Sequence, residues 1–161
     1  MYRVSFTGHR PEKLPYLSER DPECVKLKAR LEETVRGLIA DGADEFYSGM
    51  ALGVDMWAAE LVLALKEEFP DITLTAVIPC PEQAERWGEK LQVRYNGILT
   101  RCDKIITTSP RYETGCMLKR NRALVDMCDI LVAVFDGSRG GTYQTVNYAK
   151  SRRKKTVMLT P

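Results

Sequence analysis

At 161 residues the chain has room for one domain with a sizeable core. A net charge of +2, with 44% hydrophobic and 29% charged residues, is that of an ordinary globular protein and gives no electrostatic reason to expect nucleic acid. Five cysteines without C-x-x-C spacing and a single histidine argue against a zinc site and for reduced thiols, so no metal is expected.

The chain opens on a β-prone run, 2–6, followed by a polar, proline-marked loop. Asp21 then precedes Pro22, the pattern of an N-cap and a first helical residue. Leu27, Leu31, Val35 and Leu38 recur at helical spacing until Asp41-Gly42. A second strand is predicted over 45–48 and a second helix over 54–68, stopped by Pro70. Strand 72–78 runs into Pro79-Cys80-Pro81, and a helix is expected from about 82 to 99. Strand 104–107, helix 115–127, strand 129–135, helix 141–151 and strand 156–159 complete the pattern. The strand at 129–135 is the most apolar and is expected at or near the sheet centre. Strand and helix alternate throughout, which predicts an α/β fold. It is a single Rossmann-like, doubly wound, mainly parallel sheet of about six strands with helices on both faces, one domain over 1–161. No apolar run approaches the ~20 residues that span a bilayer, and no leader is read before the first strand. A cytoplasmic protein with no membrane partner is expected.

Three glycine-bearing turns follow strands: Thr7-Gly8-His9-Arg10, Ser48 to Asp55 with Gly49 and Gly53, and Asp136 to Thr142 with Gly140 and Gly141. In a parallel sheet these turns meet along one edge. Glycines let backbone N–H groups approach a ligand, and the helix that follows turns its positive end there. Arg10 can fork onto phosphate, Thr7 and Thr142 offer hydroxyls, and Asp55 can accept from ribose or merely complement its helix. Asp136 can meet a ligand or cap its turn, and His9 can bind or serve structure. Arg120 and Asn121 sit in a basic helical run, Lys119 to Arg122, for which a solvated face is the commoner role. Another basic run, Lys150 to Lys155, reads the same way. Trp87, Tyr95, Tyr112 and Tyr143 carry faces on which a base can stack, although packing is the commoner use of each. The Rossmann G-x-G-x-x-G and the Walker A pattern are both absent, and no Ser-His-Asp arrangement is evident.

These turns, with Gln83, Trp87, Tyr95, Arg120-Asn121, Leu124-Val125-Asp126 and Tyr148-Ala149, resemble the YpsA-like branch of the SLOG superfamily over nearly the whole chain. The resemblance implies a Rossmann-like fold that binds a nucleotide or a nucleotide-derived ligand, ADP-ribose-like molecules being the favoured suggestion. The Lonely Guy phosphoribohydrolases are similar in the last glycine turn, but Thr145 stands where their catalytic glutamate falls. Threonine cannot act as a carboxylate base, which disfavours that hydrolysis while leaving Asp55 or Asp136 as substitutes. The DNA-processing protein A family resembles Ser48 to Asp55 and Arg120-Asn121-Arg122, and implies single-stranded DNA binding as a third alternative. The expectation is therefore binding or sensing of a small nucleotide-derived ligand. No catalytic residue and no cofactor is assigned, nucleic acid is not expected as a partner, and a homodimer is expected from base rates alone.

Overall fold

The computed structural model describes residues 2–161. Its strands are β1 (Tyr2–Gly8), β2 (Ala43–Ser48), β3 (Thr73–Ile78), β4 (Lys104–Thr107), β5 (Ile130–Val134) and β6 (Lys155–Leu159). Its α-helices are α1 (Pro22–Ala40), α2 (Val54–Leu65), α3 (Glu89–Arg101), α4 (Cys116–Met127) and α5 (Gly141–Ser151), and a short 3-10 turn spans Pro11–Lys13. The six strands form one sheet in the order β4-β3-β2-β1-β5-β6, and every pairing is parallel. This is a Rossmann-like α/β sheet, as the alternation of elements predicts.

The order divides the helices between the faces. The first three crossovers step one way across the sheet, and right-handed connections put α1, α2 and α3 on one side. After β4 the chain returns over β3 and β1 to lay down β5, so α4 and α5 lie on the other side. Side chains along the strands follow the same division. Val4, Phe6, Phe46, Leu74, Ile130 and Val132 pack with Leu31, Val35, Met56, Val62 and Ile98 on the α1–α3 side. Leu131 and Ala133 pack with Val125, Val146 and Ala149 on the other. Ser5, between Val4 and Phe6, donates its hydroxyl to the Leu124 carbonyl of α4 at 2.7 Å. All five residues of β5 are buried, and its place between β1 and β6 accounts for its apolar sequence.

Local signals explain most boundaries. Asp21 Oδ1 accepts from the Glu23 N–H at 3.0 Å, and Pro22 starts α1. The loop that precedes it is anchored both by apolar contacts, with Leu14 buried among Cys24, Leu27, Val54, Trp57 and Val134, and by ion pairs. Arg94 of α3 holds Glu19 at 2.7 Å and Glu60 of α2 at 2.6 Å, and Lys28 adds a second contact to Glu19 at 2.6 Å. The Arg94 hydrogen bond draws the Glu19 carboxyl down to about 2.

One helix begins later than the sequence predicts. Residues 82–87 form a chain of turns, with Glu85 N–H to the Glu82 carbonyl and Trp87 N–H to the Ala84 carbonyl, both 3.0 Å. The regular helix starts only after the extended Gly88. Tertiary contacts hold the turns. Gln83 bonds the Gly49 carbonyl at 3.2 Å, and the Trp87 ring meets Tyr95 edge-on at 5.2 Å between centroids.

Candidate functional site

Between β1 and β5 the connections turn to opposite faces, the position at which open α/β sheets leave a crevice beyond their strand ends. A cleft of about 240 Å³ lies there. Of the predicted residues, Thr7, Gly8, His9, Arg10, Asp55, Arg120, Asn121, Gly141 and Thr142 line it. Four are not among its lining residues: Gly49, Gly53, Gly140 and Asp136.

Gly53 has φ +89, and a Cβ there would come within 2.7 Å of the His9 carbonyl. Only glycine fits both conditions, so Gly53 lets the loop after β1 rest on the start of α2. Gly49 is not one of the glycines with a positive φ. The left-handed residue is its neighbour Met50, at φ 59 and fully buried. A Cβ on Gly49 would instead meet the Arg120 guanidinium at 2.9 Å.

Arg120 is the largest fully buried side chain, 2% exposed, and so departs from the solvated face expected of its run, whose Lys119 and Arg122 are exposed. Its donors are engaged by the Gly49 carbonyl, by Gln83 Oε1 at 3.2 Å and by Asn121 Oδ1 at 2.8 Å. Gln83 passes the network on to the Tyr95 hydroxyl at 3.2 Å. Burial lowers the Arg120 pKa, and the charge of Asp55 opposes that shift. Asp55 is 6% exposed, and burial pushes its carboxyl up to about 6 against the pull of Arg120, the Ala51 N–H and Arg10. Thus the floor of the cleft holds a buried cation and a buried acid, with no ion pair within 4.0 Å joining them among the described residues. Ser48 braces this turn, donating to the Asp55 carbonyl at 2.7 Å and accepting from the Met50 N–H at 3.2 Å.

His9 is 2% exposed, and its Nε2 lies 2.8 Å from Asp136 Oδ1. The same carboxylate oxygen accepts from the Ser138 N–H at 2.8 Å. Asp136 therefore caps its own turn and anchors His9. The Ser138 hydrogen bonds, followed by His9, hold its carboxyl well below the usual range. Lys13 and Glu12, on the 3-10 turn, also line the cleft and were missed by sequence reasoning. Lys13 Nζ donates to the Arg139 carbonyl at 2.6 Å and so bridges the first loop to the third. They sit in an aperiodic polar loop, where no spacing signal could mark them. Ala51 and Met117 complete the lining.

Thr145 faces away from this chemistry. Its hydroxyl donates back to the Gly141 carbonyl at 2.8 Å, and its side chain borders the separate groove between α4 and α5.

Fold and cleft together define a Rossmann-like α/β protein with its glycine loops gathered at the strand ends. The chain belongs to the YspA SLOG family, whose YpsA model matches residues 4–160. It is 32% identical over 141 residues to a UPF0398 protein of Bacillus pumilus, covering 86% of this chain and 76% of that protein. A UPF0398 protein of Bacillus licheniformis is 30% identical over 156 residues, covering 94% and 85%. Among solved structures the fold is similar to DNA processing protein A from Helicobacter pylori, described for its single-stranded DNA binding mode. That match has a TM-score of 0.66 and 21% identity, and covers 98% of this chain but only 64% of the neighbour. No helix among the described residues is long and apolar enough to cross a membrane.

Proposed function

We propose that the cleft binds a nucleotide or a nucleotide-derived small molecule, ADP-ribose-like ligands included, and that the protein acts by sensing it. One observation carries this reading: the loop after β1 and helix α4 bring Arg10, Lys13 and buried Arg120 together at the cleft formed by the N-terminal ends of α2 and α5. Backbone N–H groups, helix dipoles and cations at one point favour a phosphate. Hydrolysis is the weaker use of the site, because Thr145 is turned away and Asp55 is the single buried carboxylate on the cleft floor.

A thermal-shift panel of nucleoside phosphates and ADP-ribose tests the reading. Ligand at a hundred times its Kd adds about 2.7 kcal/mol, which raises Tm by roughly 5–11 °C for a domain of this size. No shift with any member of the panel would sink it.

Single-stranded DNA binding is the second reading, and it is favoured by the fold shared with DNA processing protein A. That likeness weakens the expectation that nucleic acid is not a partner. Oligonucleotide affinity that falls steeply with salt would support it, and absent binding would remove it.

A further inference from the structure

Beside the glycine-loop cleft lies a second cavity of about 320 Å³. Met117 belongs to both, and Gln83, which lines the second, bonds Arg120 on the floor of the first. The two differ in chemistry. The first gathers Arg10, Lys13 and Arg120. The second is walled by Trp87, Tyr112, Glu82 and Glu85, with Arg86 its one cation.

Both aromatic residues turn some surface to the cavity. Trp87 is partly buried against the core and meets Tyr95 edge-on, and Tyr112 is 67% exposed on the lip. A large exposed aromatic beside a half-buried one offers a flat ring somewhere to stack. Glu82 adds a directional group. Its Oε2 is sealed from solvent and accepts no hydrogen bond among the described residues. A buried carboxylate oxygen without a donor is unfavourable, and a turn of the Glu82 side chain toward the cavity lets an amino N–H of a ligand relieve it.

We propose that this second cavity is the base subsite of the ligand. Phosphate occupies the glycine-loop cleft, ribose passes Met117, and an amino-bearing base stacks on Trp87 and Tyr112 and donates to Glu82. The proposal rests on the nucleotide reading above and names the ligand class: a nucleoside phosphate whose base is adenine, guanine or cytosine rather than uracil.

Calorimetric titration of the full chain with ribose 5-phosphate, UMP, AMP and GMP tests it. AMP or GMP should bind about tenfold or more tightly than ribose 5-phosphate, within the range measured for single stacked bases. Tyr112→Ala should remove most of that advantage and leave ribose 5-phosphate unchanged. Glu82→Gln should narrow the preference of AMP over UMP. In a Trp57→Phe background Trp87 is the sole tryptophan, and AMP should quench it while ribose 5-phosphate does not. Equal binding of AMP and ribose 5-phosphate, or an AMP advantage that survives Tyr112→Ala, overturns the base subsite and leaves the cleft reading standing. If none of the four binds, the base subsite as drawn is overturned, and the cleft reading stands or falls with the wider panel of nucleoside phosphates and ADP-ribose.

Discussion

His9 Nε2 and Asp136 Oδ1 stand 2.8 Å apart across 127 residues of sequence, joining the loop after β1 to the loop after β5. Asp136 also holds the Ser138 N–H, so one carboxylate sets the shape of the third glycine turn. Its depressed pKa makes that contribution present above the unfolded value near 4 and lost only as pH falls through the folded one. Ser138 amide protection, read by hydrogen exchange, should therefore persist below pH 4. Asp136→Ala should abolish that protection at neutral pH and lower Tm, because buried His9 loses its partner. Unchanged exchange in the variant would show that the turn holds itself.

Asp55 gives the opposite pH dependence. Its folded pKa of about 6 lies above the unfolded value of 3.8. The folded state is thus favoured by this group below pH 3.8, and the advantage is lost as pH rises to about 6. The rise from 3.8 to about 6 corresponds to roughly 3 kcal/mol. Urea unfolding of wild type and Asp55→Asn at pH 4 and pH 8 should show a stability difference that changes by about that amount in favour of the variant at high pH. A difference independent of pH would mean that Asp55 is already ionised in the folded protein at pH 4.

Gly49→Ala should act through Arg120. The new methyl group displaces the guanidinium from the Gly49 carbonyl and Gln83, leaving a buried charge short of acceptors. A loss of about 2–4 kcal/mol is expected in urea unfolding. Gly49→Ala with wild-type stability would show that the side chain finds other partners.

Arg10 is exposed and lines the cleft, so it can be removed without disturbing the core. Arg10→Ala should lower AMP affinity by about ten- to a hundredfold, the weight of a charge-assisted hydrogen bond, while Tm of the free protein stays the same. Undiminished affinity would take Arg10 out of the site.

Much of this architecture was legible because its signals are local. Asp21-Pro22 marks the start of α1, and the apolar run at β5 announces a strand covered on both faces. The glycine turns are legible for the same reason, since a strand end, a glycine and a helix start are neighbours in sequence. What escaped depends on partners far along the chain. Helix α3 starts at Glu89 because Gln83 and Trp87 are held by Gly49 and Tyr95. Arg120 lies in a run of charges that ordinarily faces water, and only Gly49 and Gln83 explain its burial. Lys13 reaches the cleft through a contact with Arg139, 126 residues away.

The return of the chain over the sheet also sets an order of assembly. Strands β1 to β4 can pair from neighbours that follow one another closely, but α4 and β5 must come back to a strand laid down more than 120 residues earlier. Contacts of such separation close late. Arg120, Asn121, Gly141 and Thr142 all arrive with that late segment. A chain emerging from synthesis therefore carries the sheet edge with its first glycine loops long before it can grip an anion, and competence to bind marks the finished molecule.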